Sequence, residues 1–444
     1  MKSREVAPAE VIIRRVVESA INAVKPSTLF GSNFHVASDT LHAFGTQVEL
    51  DPGAGVRCVA VGKSAEAMAH EVRKKLGSRV TGIIASPVGS HIGVEGFGFY
   101  QTGHPIPDEE SVRAGRAVLD FVAGADHDDL VLFLISGGGS ASVFVPVEGV
   151  TLSDANRVME LLFDNGASID KVNLVRRHLS MLGGGKLSAA AQVRKKLSLI
   201  ISDVVGDDPV SIASGPTVHD DSTPADAVGF LKECGLIERL PETVRAAFAK
   251  QPEVYRAPRR SDGVIKVIAS NREALEAAEK TGTENGVDSL VLTRFWEGEA
   301  CGAAGAIVSI ARSLERDALP VPPPALILAA GETTVKVTGA GKGGRNQQLV
   351  LSALSQMIEL ERRGQGLDRA TVFSFGTDGK DGNSSAAGAF VSLGTVNNVA
   401  GKKDIIEDNL RRNDSNSFFS KYGGLIETGP TDTNVMDIFG VLVI

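Results

Sequence analysis

The stretch "LVLFLISGGGSAS", residues 130–142, runs through six apolar residues and then breaks into Ser136, three glycines and Ser140. An apolar run without alternation is the pattern of a strand buried on both faces, as in a parallel sheet covered by helices. Gly137, Gly138 and Gly139 leave backbone amides bare and permit positive φ, so the loop can form a nest for phosphate or carboxylate. A tight strand-to-helix turn needs one glycine or two, so three flanked by serines favour the anion. The loop is not a dinucleotide fingerprint, because G-x-G-x-x-G requires glycine at 142, where Ser142 stands.

Outward from this run, "VRCVAVG" (56–62), "TGIIAS" (81–86) and "LSLIIS" (197–202) read as further strands. Helical patterns separate them, among them "SAEAMAHEVRKKL" and "DEESVRAGRAVLDFVA", whose early acids suit a helix N-terminus. The polar, Pro-containing "QPEVYRAPRRSDG" (251–263) is the best linker. Strand–helix alternation resumes after it with "VIKVIAS" and "SLVLTRF". "ALILAAGETTVKVTG" then reads as a strand followed by a hairpin, and "GGRNQQLVLSALSQMIEL" as an amphipathic helix. The expectation is an α/β protein of two domains, 1–255 and 262–444. In open parallel sheets ligands bind beyond the carboxyl ends of strands, and several polar loops here fall at such ends.

The bulk properties narrow the partners. The 444-residue chain has a net charge of −8 and no long basic run, which disfavours nucleic acid and anionic membranes. No apolar run approaches the ~18 residues of a membrane span. "PAEVIIRRVVESAINAV" carries acids within its apolar periodicity, so it reads as an amphipathic helix rather than a leader. Cys58, Cys234 and Cys301 are scattered and form neither a metal spacing nor a disulfide framework, so the chain reads as soluble and cytoplasmic. All eight histidines lie at or before His219, leaving the C-terminal domain to work with carboxylates, Arg, Lys and amides.

Several loops carry chemistry. In "AVGKSAEA", Lys63 stands between a strand and a helix start, where a cation helps hold an anion. A Walker motif is excluded, because it needs glycine at 57 and the chain has Arg57. "IISDVVGDDPVSIASGPT" brings Asp203, Asp207 and Asp208 together after a buried strand, a set suited to Mg²⁺ with substrate phosphates. At least one of these aspartates reads equally well as a turn or cap residue. The C-terminal half offers Glu332 in "AGETTVKV", Arg345 and Asn346 in "GGRNQQ", and Asp378 and Asp381 in "FGTDGKDG". Arg345 opens a helix after two glycines, a placement suited to a phosphate.

Taken in order, "VGKSAEAMA", "TGHPIPDEESVRAG", "LISGGGSAS", "VRRHLSMLGGGKLSAAA", "ISDVVGDDPVSIASGPT", "GETTVKVTGAGKGGRNQQ", "FGTDGKDGNSSAAGA" and "TGPTDTNVMD" resemble the class II glycerate 2-kinases. The resemblance runs from about residue 60 to the C-terminus. It implies a Rossmann-like, doubly wound N-terminal domain facing a smaller mixed α/β domain, the MOFRL region of about 325–440, across a cleft. It implies transfer of the γ-phosphoryl group of ATP to D-glycerate with Mg²⁺, and leaves a homodimer open. By the same resemblance, Lys63, Arg345 and Asp203 are catalytic, and Asp207, Asp208 and Asp378 are metal ligands. Ser136, Gly137, Gly138, Gly139, Ser140, Arg176, Glu332 and Asn346 bind substrate or phosphate. Whether the 136–140 loop takes the ATP phosphate or the glycerate carboxylate stays open. The chain departs from the family pattern at Gln348, Ser385 and Met436. Two other readings compete. A hydroxypyruvate reductase would need a nicotinamide site, and both glycine fingerprints, at 142 and at Asn346, fail. A non-catalytic anion-binding regulator would not need charge from both domains.

Overall fold

The computed structural model describes residues 7–88, 93–250, 263–399 and 401–444, so the linker candidate, apart from Gly263, lies outside the described residues. The chain forms two compact units, one of Pro26–Asp203 with Asp207–Ile268, the other of Met1–Lys25, Val204–Gly206 and Ala269–Ile444.

The first unit is organised by a six-stranded sheet. Its strands lie in the spatial order Phe97–Gln101, Val80–Ser86, Val56–Val61, Leu130–Ile135, Lys195–Ile201 and Val264–Ala269. Numbered along the chain, that is 3-2-1-4-5-6, the doubly wound Rossmann order. The registered pairs among the first five strands are parallel. Leu130–Ile135 is buried at every position, as its unbroken apolar run requires. The strand Val264–Ala269, which reads in sequence as the opening of the second domain, closes the edge of this sheet. A three-stranded antiparallel sheet over residues 34–49, not legible in the sequence, belongs to the same unit.

The second unit carries a mixed sheet in the order Asp288–Glu299, Ala325–Thr334, Asp437–Val443, Ala370–Gly376, Gly388–Ser392 and Leu425–Ile426. Only the first pair is parallel. The helices Ala300–Asp317 and Arg345–Arg362 bury their apolar faces in its core. The expected hairpin after Ala325–Thr334 does not form. The chain there ties to residues 411–413 instead, with the Thr338 and Gly339 amides donating to Asn413 Oδ1 at 2.7 and 3.1 Å. The first helix, Ala9–Ala23, buries Ile12, Val16, Ala20 and Ile21 of the apolar face read from the sequence, and Ile13 and Val17 besides, while Val11 of that face is exposed. It packs in this second unit, where Ser19 Oγ donates to Ala277 O. Among the described residues no helix is long and apolar enough to cross a membrane.

Candidate active site

In a doubly wound sheet the ligand crevice opens where the strand order reverses, at the carboxyl ends of the two central strands. Here those strands are Val56–Val61 and Leu130–Ile135, paired in register from Val56↔Leu130 to Val61↔Ile135. Their ends lead directly into Gly62–Lys63 and Ser136–Gly139. The two loops are laced together. Lys63 N donates to Gly137 O at 2.9 Å, and Ser64 N donates to Ser136 Oγ at 3.0 Å. The Ser136 hydroxyl in turn donates to Val61 O, so this buried side chain is committed to joining the loops. Gly62, at φ +104°, has no room for a side chain, because a Cβ would lie 2.6 Å from Ser136 Oγ.

The three glycines have distinct neighbours. A Cβ on Gly137 would fall on the carboxylate of Asp203, the residue just past the strand Lys195–Ile201. On Gly138, which holds the left-handed conformation at φ +83°, it would come within 3.1 Å of the His104 ring and 3.6 Å of Lys63 Cγ. On Gly139 it would meet Ala213 at 2.9 Å. The chain's own side chains therefore demand the bare backbone. The glycine loop is a hub at which Lys63, His104, Asp203 and the 207–217 loop converge. Sequence reasoning passed over His104, although "TGHPIPDEE" contained it.

Ser140 extends the hub. Its Oγ accepts a 2.7 Å hydrogen bond from Arg176 Nη1, on the helix Ile169–Leu179. Arg176 is buried, its Nε has no partner, and burial brings its pKa down to about 10. Its neighbours are provided for. Arg177 pairs with Asp220 at 2.7 Å, and Lys186, drawn down to about 8 by burial, donates to Arg177 O and Ser180 O. The adjoining loop holds three non-glycine residues at positive φ: Asp207 (58°), Ala213 (51°) and Ser214 (60°). Such strain persists only where surroundings impose it, typically at functional sites. Asn173 supplies part of that restraint, accepting from Ser214 Oγ and donating to Ser211 O. Asp208 uses both carboxylate oxygens within its own turn, toward Val210 N and Ser211 Oγ.

The second unit has a polar cluster of its own. Arg345 Nη1 donates to Glu332 Oε1 at 2.6 Å. Its Nε and Nη2 meet Asp437 Oδ2 and Oδ1 at 2.5 and 3.2 Å. Burial opposes the arginine's charge, but the carboxylates of Asp437 and Glu332 outweigh it and raise its pKa. Asp437 is pushed up to about 6 by burial, with Arg345 and Asn346 acting in the opposite direction. Asp381 caps the helix Arg345–Arg362: its oxygens accept from the amides of Asn346 and Gln347 at 3.0 and 2.8 Å, and from both side-chain amides. Burial raises its pKa against those four bonds. These two helix amides are therefore bound to a carboxylate of the chain. Gly344 repeats the device of Gly137, for a Cβ there would meet Asp381 Oδ1. Asp378 Oδ1 accepts from Lys380 N, and Asn346 accepts from Ser374 Oγ. Asp437, which the sequence reading did not single out, is the residue that fixes the direction of Arg345.

The class these features define is a two-unit α/β protein with a Rossmann-ordered sheet and charged loops at its switch point. The DUF4147 model, described as a domain of unknown function, matches residues 12–249, and the MOFRL family model matches residues 325–437. The D-glycerate 2-kinase of Thermotoga maritima is 37% identical over 87% of this chain and 90% of its own length. The glycerate 2-kinase of Pyrococcus horikoshii is 35% identical over 97% and 96%. An Agrobacterium vitis protein named for hydroxypyruvate reductase is 35% identical over 98% and 94%. The crystal structure of Thermotoga maritima glycerate kinase matches with a TM-score of 0.83 at 33% identity, covering 98% of this chain and 100% of that one. The chain belongs to the glycerate kinase type-2 family.

Proposed function

We propose that the protein transfers the γ-phosphoryl group of ATP to the 2-hydroxyl of D-glycerate, in the cytoplasm. The observation that carries this reading is the convergence of Lys63, Asp203 and the 137–140 backbone at the switch point of the first sheet. The names of the Thermotoga and Pyrococcus relatives support the substrate and the position of transfer. In the reaction the 2-hydroxyl oxygen attacks the γ-phosphorus, the bond to the β,γ-bridging oxygen breaks, and ADP leaves. Asp203 takes the hydroxyl proton, and Lys63 stabilises the charge that spreads over the phosphoryl oxygens. Arg345, in the second unit, is a further cation to which we assign a part in catalysis. Its full commitment to Asp437 and Glu332 makes it a rigidly aimed cation rather than a free fork.

Among the described residues no group of three or more His, Cys, Asp or Glu side chains is arranged to hold a metal ion. Mg²⁺ is held by one or two carboxylates together with substrate phosphates. Asp207 is the carboxylate we assign to it, which leaves the hydroxyl proton to Asp203. The ion would supply charge neutralisation on the phosphates. Asp208, with both oxygens occupied in its turn, is the weakest of the four aspartates for that task.

The test is an assay with ATP, Mg²⁺ and D-glycerate, run beside one with NADH and hydroxypyruvate. Phosphorus NMR should show 2-phosphoglycerate, and chelation of Mg²⁺ should stop turnover. A dominant 3-phosphoglycerate signal would reject the position of transfer. NADH oxidation without ATP would move the protein to the reductase reading that the Agrobacterium name suggests.

A further inference from the structure

Four basic side chains crowd the end of the helix Ile169–Leu179 and the loop that follows it, and three are accounted for. Arg177 has Asp220. Lys186 caps carbonyls of residues 177 and 180. His178 is buried, held down to about 4 by burial and then by Lys186, and bonded to Ser222 Oγ, so it is neutral near pH 7. Arg176 differs. It is 5% exposed, it bonds the neutral hydroxyl of Ser140, and its Nε is enclosed without a partner. No carboxylate of the described residues offsets its charge, and desolvation alone accounts for its shift. A buried cation in that condition is costly unless a counter-charge arrives.

We infer that Arg176, oriented by Ser140, is the seat of the acceptor's carboxylate, and that the nucleotide phosphates bind elsewhere. This deepens the kinase reading and rests on it. One observation favours a carboxylate. Nη1 is occupied by Ser140, which leaves the Nε–Nη2 edge, the edge that matches two coplanar carboxylate oxygens. Ser140 and Arg176 thus select acids over the corresponding alcohols or amides.

The experiment measures KM for D-glycerate and for ATP in the wild type, Arg176→Met, Arg176→Lys and Ser140→Ala, with calorimetric titration of D-glycerate and its neutral analogue glyceramide. Arg176→Met should raise the KM for glycerate roughly 100-fold, the scale of removing one partner of a buried charged pair. The KM for ATP should stay within about twofold of wild type. Arg176→Lys should restore the charge but only part of the affinity, because it lacks the fork. Wild type should bind glyceramide far more weakly than glycerate. The ligand-free Arg176→Met protein should melt no lower than wild type, since an uncompensated buried charge has been removed. Equal losses for ATP and glycerate would overturn the inference, as would an unchanged KM for glycerate. A lower melting point with unchanged KM values would reduce Arg176 to a structural residue. Should the wild type neither bind nor phosphorylate glycerate, the kinase reading fails. Titration with D-lactate and pyruvate then decides the seat by itself: binding that is lost in Arg176→Met supports it, and absence of binding overturns it.

Discussion

Gly137 and Gly344 have the same task in different units: each lets an aspartate carboxylate lie against the backbone. Gly137→Ala should therefore displace Asp203 and cut kcat by about 100-fold or more, the scale of losing one preorganised group. Melting should fall only modestly, because the loop is short. Lys63→Ala should lose kcat on the same scale and leave the melting temperature nearly unchanged. Normal kcat in both variants would remove this loop from the chemistry. Asp437 offers a pH prediction. Its pKa rises from 3.8 in the unfolded chain to about 6 in the fold, so the native state binds the extra proton between those values. Its contribution to stability is thus greatest at acid pH and is lost as pH rises through about 6. Activity should run the other way. Protonation below about 6 weakens the hold on Arg345, so kcat should fall on that limb, and Asp437→Asn should flatten it. A limb near 6 that survives in Asp437→Asn would assign the titration to another group.

The helix Arg345–Arg362 shows how far an element can be read from its sequence. Its amphipathic pattern is plain in "RNQQLVLSALSQMIEL", and the strands of the first sheet are equally plain, because two-sided burial demands unbroken apolar runs. The placement of the candidate loops at strand ends was legible for the same reason. Contacts between distant segments were not. That Asp381 would cap this helix, or that Arg345 would be gripped by Glu332 and Asp437, depends on segments brought together only by the sheet. The hairpin after Thr334 failed on similar grounds, since β-propensity in "VKV" carries no information about Asn413. Asp381→Ala should remove the acceptor of two helix amides and two side-chain amides, costing roughly 2 kcal/mol or more in urea unfolding. A loss below about 0.5 kcal/mol would mean that water replaces the cap. Arg345→Lys should lose most activity, because a lysine cannot keep contact with Glu332 and both Asp437 oxygens at once. A kcat within a few-fold of wild type would leave Arg345 a merely structural ion pair.

At the scale of the whole molecule, the linear split at 255 and 262 is not how the chain divides in space. The edge strand Val264–Ala269 stays with the first sheet, and the helix Ala9–Ala23 joins the second unit. Thr433 Oγ1 reaches back to Val24 O at 2.8 Å, so the start and the end of the chain are bonded to each other. A fragment beginning at residue 269 should be less soluble than one co-expressed with residues 1–25, because the apolar groups that cover Ile12, Val16 and Ile21 would lie bare. Equal solubility and equal melting of the two would show that the helix is dispensable. The same arrangement sets an order of events during synthesis. The first helix leaves the ribosome early but can dock only after residues near 277 have followed, and its tie to Thr433 waits longer still. Until then its sticky face travels unprotected, a long wait during which a chaperone has the most to do.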